Sequence, residues 1–320
     1  MNVLLTGATG FVGRGVLARL CAEPGLRTRV AVRRMPEELP AGVDCVRIER
    51  LSIDQDWGDA LKDIDVVIHA AARVHVMEER AADPLAEFRA ANVEATRHLA
   101  RQAVAAGVKR FVYLSSIKVN GEETEPGHPY RADSPAQPRD PYGQSKLEAE
   151  RALFDIAGET GLEVVVVRPP LVYGPGVKAN FASLMGALQR RLPLPFAAID
   201  NRRSLVARDN LADLLLLCSR HPAAAGRVFL VSDDRDLSTA QLCRELSVAL
   251  AVRPRLLPIP PFMLRLLGLL TGRGRQIQRL LGSLQVDISA TRQILGWVPP
   301  VSTEQALRET APWYRERRGQ

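Results

Sequence analysis

The sequence predicts an α/β fold: a Rossmann-like, doubly wound parallel sheet with a smaller, discontinuous C-terminal region that binds substrate. Three observations carry this. Residues 2–6 are a short apolar run that passes directly into the turn Gly7-Ala8-Thr9-Gly10-Phe11-Val12-Gly13 and then a helical stretch to Cys21. Further apolar runs at 28–32, 45–48, 65–68, 111–114 and 164–167 alternate with helical patterns, most plainly at 84–106. Parallel strands joined by crossover helices and covered on both faces have this pattern. Beyond Pro170 the alternation stops and proline and glycine become frequent, at Pro175, Gly176, Pro193 and Pro195.

The first turn has the spacing G-x-x-G-x-x-G between a strand and a helix. Small residues there let the backbone approach a diphosphate, and the helix N-terminus turns its N–H groups and dipole towards the anion. The second strand ends in Arg33-Arg34. An acid at this place binds the ribose 2′-hydroxyl of NAD, whereas arginine suits a 2′-phosphate. The expected cofactor is therefore NADP(H), with NAD(H) as second choice. Ligands of such sheets gather at the carboxyl ends of the strands. That edge holds Gly7, Arg33, His69 with Ala70, Ala71 and Ala72, Ser115-Ser116, and Arg168-Pro169-Pro170. Residues 228–231 return to the sheet as a late strand. The expected division is 1–170 with 201–231 for the dinucleotide, and 171–200 with 232–320 for substrate.

The stretch Asp140-Pro141-Tyr142-Gly143-Gln144-Ser145-Lys146 starts a helix. Asp140 suits the N-cap and Pro141 the first helical position, where its missing donor would be unpaired anyway. Leu147, Ala149, Ala152, Leu153 and Ile156 continue one apolar stripe to about Gly158. Tyr142 and Lys146, four apart, share a helix face. A nearby ammonium favours phenolate, so the expectation is a tyrosine pKa lowered towards proton transfer.

Composition excludes several classes. A chain of 320 residues that is 46% hydrophobic has ample core for one large domain or a nucleotide-binding domain with a companion. The charge of +7 comes from 43 basic against 36 acidic residues, scattered and with little aromatic interleaving. Small anionic ligands explain the arginine pairs more simply than a nucleic acid does. Cys21, Cys45, Cys218 and Cys243 lie far apart in apolar segments without metal-ligand spacing, which predicts no metal site and buried free thiols in a reducing cytoplasm. Met1 leads straight into a strand pattern with no charged leader. The tract 256–270 is too short and interrupted to span a bilayer. A helix at 262–270 followed by Arg273, Arg275 and Arg279 is expected to pack over a substrate cleft, with membrane-surface contact the less favoured alternative.

Taken together, the glycine turn, His69-Ala-Ala-Ala, Asn92-Val-Glu-Ala-Thr, Leu114-Ser-Ser, Pro141-Tyr-x-x-x-Lys and Arg168-Pro-Pro-x-x-Tyr-Gly-Pro-Gly resemble the extended short-chain dehydrogenases/reductases of the NAD-dependent epimerase/dehydratase family, nearly end to end. Within it, Arg73-Val-His75-Val and Ser283-Leu-Gln-Val-Asp287 look like the branch that reduces the 4-keto group of UDP-4-keto-6-deoxy-N-acetylhexosamines for bacterial surface polysaccharide such as O-antigen. The resemblance implies that Tyr142 delivers a proton to the carbonyl oxygen, Ser116 hydrogen-bonds that oxygen, and Lys146 holds the nicotinamide ribose. It implies a cofactor site of Gly7, Thr9, Gly10, Phe11, Val12, Gly13, Arg33, Arg34, Leu51, Ala70, Ala71, Ala72, Asn92, Leu114, Tyr142, Lys146 and Pro169. For the UDP-sugar it implies Arg73, His75, Ser116, Asn180, Phe196 and Arg203, with Arg203 on the diphosphate and Arg279 a weaker second candidate. It further implies a homodimer built on helices 84–106 and 142–158.

Two departures matter. Glu49-Arg50-Leu51 stands where relatives often carry an acid for adenine, and Ile117-Lys118 lacks the acid with which the 4,6-dehydratase branch eliminates water. Dehydration is disfavoured accordingly. The first expectation is an NADPH-dependent 4-ketoreductase. The alternatives are a UDP-N-acetylglucosamine or UDP-glucose 4-epimerase retaining tightly bound NAD, and a non-catalytic dinucleotide-binding scaffold.

Overall fold

The computed structural model describes residues 1–74, 83–272 and 274–316. The chain opens with β1 (Asn2–Thr6), α1 (Phe11–Cys21), β2 (Arg27–Val32), β3 (Val43–Arg47), the single turn α2 (Gly58–Leu61) and β4 (Val66–His69). There follow α3 (Pro84–Arg89), α4 (Ala95–Ala105), β5 (Arg110–Leu114), α5 (Pro141–Thr160) and β6 (Glu163–Arg168). The later part holds β7 (Leu171–Tyr173), α6 (Ala179–Gln189), β8 (Pro193–Leu194), β9 (Arg203–Ala207), α7 (Arg208–Arg220), β10 (Arg227–Leu230) and β11 (Asp236–Leu237). It ends with α8 (Thr239–Ala249), β12 (Arg255–Leu256), α9 (Pro261–Leu270), α10 (Gly274–Leu281), α11 (Ser289–Leu295) and α12 (Thr303–Glu316).

Seven strands make one parallel sheet in the order β10-β6-β5-β4-β1-β2-β3. The chain winds outward from β1 to β3, then crosses back and winds outward from β4. The reversal leaves a crevice between β1 and β4 at their carboxyl ends. This is the doubly wound sheet that the sequence predicts, and the late strand at 227–230 completes its far edge. Central strands read as continuous apolar runs because both faces are covered: Val3 and Leu5 pack with α1 and α7, and Leu4 packs with α4 and α5 on the other side.

The α5 helix begins as its sequence predicts. The Asp140 carboxylate accepts from Gly143 N at 2.7 Å, and Pro141 takes the first position. It runs two residues past Gly158 and stops at Gly161, whose φ of 76° is left-handed. The helical stretch at 84–106 is interrupted: between α3 and α4 the backbone widens into a π-type turn over Ala90–Glu94. Such turns re-aim side chains and recur at functional sites, and this one contains Asn92.

A third cluster, with Tyr173, Phe181, Met185, Leu246 and Leu307, fills the C-terminal region. There β9 pairs with β7 and β11 in a separate three-stranded sheet. Leu284, Val286, Ile288, Leu295 and Trp297 instead pack with the cluster on the α1 and α7 side of the main sheet. Of the thiols expected to be buried, Cys218 and Cys243 are; Cys21 is exposed at the end of α1, and Cys45 is half-buried on the edge strand β3. An apolar sequence neighbourhood does not bury a residue at an element's end or on a sheet edge. Among the described residues no helix is long and apolar enough to cross a membrane.

Candidate active site

The glycine turn closes on itself more tightly than side chains allow. Gly7 adopts φ 75°, and a Cβ there would meet the Ala71 amide nitrogen at 2.7 Å. A Cβ on Gly13 would meet the Gly7 carbonyl oxygen at 2.0 Å. The turn therefore lies against the Ala70–Ala72 segment at the end of β4. Gly10 at the α1 N-cap supplies no side-chain oxygen, which leaves the first-turn amides available to an anion. A diphosphate fits this cradle. Thr9 and Gly10 are exposed in it, and Phe11 and Val12 are half-buried. Arg33 and Arg34, just past β2, are both exposed, and Leu51 is half-buried against the α4-side cluster.

Asn92 is buried beside this cradle. Its side chain accepts from Arg73 N at 2.8 Å and donates to the Arg73 carbonyl at 3.0 Å and to Ser145 Oγ at 3.1 Å. It thus ties the segment after β4 to α5. Beneath it His69 is held between Thr6 Oγ1 at 2.7 Å and Thr96 Oγ1 at 3.1 Å. Burial, helped by the nearby Lys146 charge, pushes the imidazole down to about 3, so it stays neutral.

Ser116 follows β5 in extended conformation, and its Oγ accepts from Lys118 N at 3.3 Å. The short turn that it starts is pinned to β6 by Ile117 N donating to the Pro169 carbonyl at 2.9 Å. The start of α5 packs against the same turn: a Cβ on Gly143 would meet the Lys118 carbonyl oxygen at 2.7 Å. Glycine at this position is what lets the helix that carries Tyr142 approach the turn that carries Ser116. Lys118 Nζ lies 6.0 Å from the Tyr142 ring centroid and is ion-paired with the capping Asp140 and, at 3.5 Å, with Glu122.

Lys146 is buried one turn below Tyr142. Its Nζ donates to the Leu114 carbonyl at 2.8 Å and to Tyr113 Oη at 3.1 Å, and lies 6.0 Å from the Tyr142 ring centroid. Burial pulls this ammonium down to about 7, with Glu150 opposing. Tyr142 does not show the lowered pKa that helix spacing predicts. Burial first, and then the Asp140 carboxylate, raise it above the usual phenol value. Desolvation of the phenolate outweighs an ammonium that is itself partly discharged and directed at β5.

A buried network lies beneath, whose helix spacing is visible in the sequence but whose partners are not. Glu150 is four residues beyond Lys146 on the same face of α5, and receives Arg168 Nε at 3.0 Å and Nη2 at 2.5 Å, with Ser115 Oγ also donating to it. Arg168 Nη1 reaches Asn120 Oδ1 at 3.1 Å. The ends of β5 and β6, the turn after Ser116 and α5 are thereby cross-linked by charge-assisted bonds.

The residues expected to hold substrate fall into two groups. Arg73 lies over the Phe88 ring at 5.6 Å and pairs with Glu87 at 2.9 Å, while Phe88 meets Tyr142 edge-on at 5.9 Å. Phe88 therefore links Arg73 to the tyrosine, a contact that the sequence did not signal. His75 lies outside the described residues. Arg203, at the start of β9, donates to the Arg279 carbonyl at 2.8 Å and the Gly282 carbonyl at 3.0 Å. Burial lowers the pKa of its guanidinium, Glu123 opposes, and Arg279 adds to the lowering. Two neighbouring cations of this kind suit a diphosphate. Asn180 is exposed on α6, and Phe196 is half-buried beside the C-terminal cluster.

Known proteins share this architecture. A UDP-glucuronic acid 4-epimerase from Bacillus cereus, solved with NAD, superposes with a TM-score of 0.80 over 99% of both chains at 19% identity, a likeness of fold. MoeE5, solved with UDP-glucose and NAD, superposes with a TM-score of 0.78 over 99% of both chains at 25% identity. A UDP-glucose 4-epimerase of Vibrio cholerae is 45% identical over 311 residues, 97% of this chain and 94% of its own. With the family model "NAD dependent epimerase/dehydratase family" matching residues 3–232, across the glycine cradle, Ser116, Tyr142 and Lys146, the chain belongs to that family.

Proposed function

We propose that the protein is a UDP-hexose 4-epimerase, acting on UDP-glucose or UDP-N-acetylglucosamine and retaining one nicotinamide dinucleotide through turnover. The observation that carries this is the 45% identity, over 97% of the chain, to the Vibrio cholerae UDP-glucose 4-epimerase. It outweighs Arg33-Arg34, which by themselves favour net reduction with NADPH and whose side chains are exposed.

Inverting C4 without net oxidation requires the C4 hydrogen to leave as hydride and return to the opposite face. The bound dinucleotide supplies the hydride acceptor and donor. Ser116 would hold the sugar O4 while the Tyr142 phenol takes and returns its proton. Tyr142 is held as a phenol, ready to donate. To accept, it needs positive charge nearby: Lys146 lies 6.0 Å from its ring, and Lys118, also at 6.0 Å, is ion-paired with Asp140. Lys146 would also hold the nicotinamide ribose. Leu51, the Ala70–Ala72 segment, Asn92, Leu114 and Pro169 would line the dinucleotide. Residues 171–200 and 232–320 would supply the nucleotide-sugar side, with Arg203 and Arg279 on the diphosphate.

The decisive experiment incubates purified protein with UDP-glucose, and separately with UDP-N-acetylglucosamine, without added cofactor and reads products by NMR. Formation of the C4 epimer supports the proposal. Failure to interconvert either sugar, with oxidation of added NADPH by a UDP-4-keto-6-deoxy-N-acetylhexosamine, would establish the ketoreductase that Arg33-Arg34 favour. Either product class would serve surface polysaccharide such as O-antigen. A homodimer through the helical stretch 84–106 and residues 142–158 of α5 belongs to the same proposal and is checked by light scattering at micromolar concentration.

A further inference from the structure

Six apolar side chains of α9, namely Phe262, Met263, Leu266, Leu267, Leu269 and Leu270, are each between 47 and 78% exposed. Only Leu264 and Gly268 of this helix are buried. The helix turns only a narrow line inward, where Gly268 faces Ile277 of α10, and leaves its other apolar residues open. Exposed leucines scattered singly are ordinary, but a contiguous patch of this kind marks a surface that something covers.

Charge decides between coverings. From Leu246 to Val286 the sequence contains six arginines and no aspartate or glutamate. Arg265 lies within the patch on α9 itself, and Arg253 and Arg255 lead into it; all three are exposed. Two-fold pairing of α9 with a second copy would bring Arg265 and its neighbours against their own images, and the stretch itself carries no acid to neutralise them. A surface that accepts apolar side chains while offering negative charge in the same plane suits this pattern, as lipid acyl chains beneath anionic headgroups do. We propose that α9, with Arg253, Arg255 and Arg265, is a docking surface for an anionic phospholipid membrane, on which the protein rests without crossing it.

The patch is joined to the candidate site. α10 follows α9 directly, and its C-terminal end is clamped by Asn201 Nδ2 on the Leu280 and Gly282 carbonyls at 3.2 and 2.8 Å, and by Arg203 on the Arg279 and Gly282 carbonyls. Docking through α9 therefore fixes how the nucleotide-sugar side faces the membrane.

The test is flotation of the full-length protein with vesicles of phosphatidylcholine alone and of phosphatidylcholine with phosphatidylglycerol. The expected result is enrichment on the anionic vesicles that falls as salt rises. A Leu266→Ser/Leu269→Ser/Leu270→Ser variant should lose more than about tenfold of that partitioning. An Arg253→Ser/Arg255→Ser/Arg265→Ser variant should lose the preference for anionic lipid. Both should keep the wild-type circular dichroism and turnover of soluble UDP-sugars. Absence of enrichment on anionic vesicles, or enrichment unchanged in the leucine variant, overturns the proposal. So does a lipid-free oligomer that the leucine variant dissolves, because the patch would then cover a second copy. Turnover is read separately, so failure here leaves the proposed epimerase activity untouched.

Discussion

Lys146 Nζ lies 2.8 Å from the carbonyl oxygen of Leu114, the last residue of β5, and 6.0 Å from the ring centroid of Tyr142. The ammonium is anchored to the sheet below the tyrosine rather than to its hydroxyl. Desolvation of both groups then sets their protonation: the half-buried phenol is held neutral and the buried lysine is drawn down to about 7.

Tyr142→Phe is expected to lower turnover of UDP-hexose by about 10²–10⁴-fold, the usual range for a positioned proton-transfer group. Dinucleotide binding, followed by fluorescence titration, should change little. Undiminished turnover would remove Tyr142 from the proton transfer, whereas dinucleotide binding without turnover in the wild type would support a scaffold.

The Lys146 shift makes a signed stability prediction. Its pKa falls from 10.5 in the unfolded chain to about 7 in the fold, so between those values the unfolded chain binds more protons and stability rises with pH. Below about 7 both states are protonated and the full penalty of burying the charge is present. Lys146→Met removes that penalty. Relative to wild type, thermal melts of the variant should be most favourable below pH 7 and lose their advantage progressively up to pH 10.5. A difference independent of pH would show that Lys146 is not desolvated in solution.

Glu150→Gln leaves Arg168 buried with its counter-charge removed, a change that typically destabilises by about 3–5 kcal/mol. Urea denaturation should show this loss. Replacing both partners with methionine should recover much of it, because neither charge then remains to be desolvated.

Gly13→Ala places a methyl group 2.0 Å from the Gly7 carbonyl oxygen. Backbone cannot yield there without opening the turn. NAD(H) and NADP(H) binding should fall by more than about tenfold, measured by fluorescence titration, with the circular dichroism of the sheet retained.

Arg203→Ala is expected to raise KM for the UDP-sugar by about 10–100-fold with a smaller effect on kcat, as loss of a charge-assisted diphosphate contact would. Arg279→Ala should act in the same direction and more weakly, since its side chain is exposed and pairs with Glu122 only at 3.5 Å.

The frame was legible in the sequence because its signals are local. A glycine turn between strand and helix, Asp140-Pro141 before an apolar stripe, and buried valine runs such as that of β6 each require their structure within a few residues. The family motifs that follow one another along the chain marked the candidate site residues in the same local way. The spacing of Tyr142, Lys146 and Glu150 was equally visible, but what each would contact was not.

By itself, then, the sequence determined the doubly wound sheet, the glycine turn between β1 and α1, and the helix that carries Tyr142 and Lys146. Tertiary structure decided the direction of the Tyr142 shift, the coupling of Glu150 to Arg168, the Phe88 bridge from Arg73 to the tyrosine, and the exposure of α9. The physical reason is range. Turns, caps and periodicity are fixed by neighbours in the chain, whereas desolvation and ion pairing depend on segments far apart in sequence, such as β5, α5 and β6, and those meet only in the packed molecule.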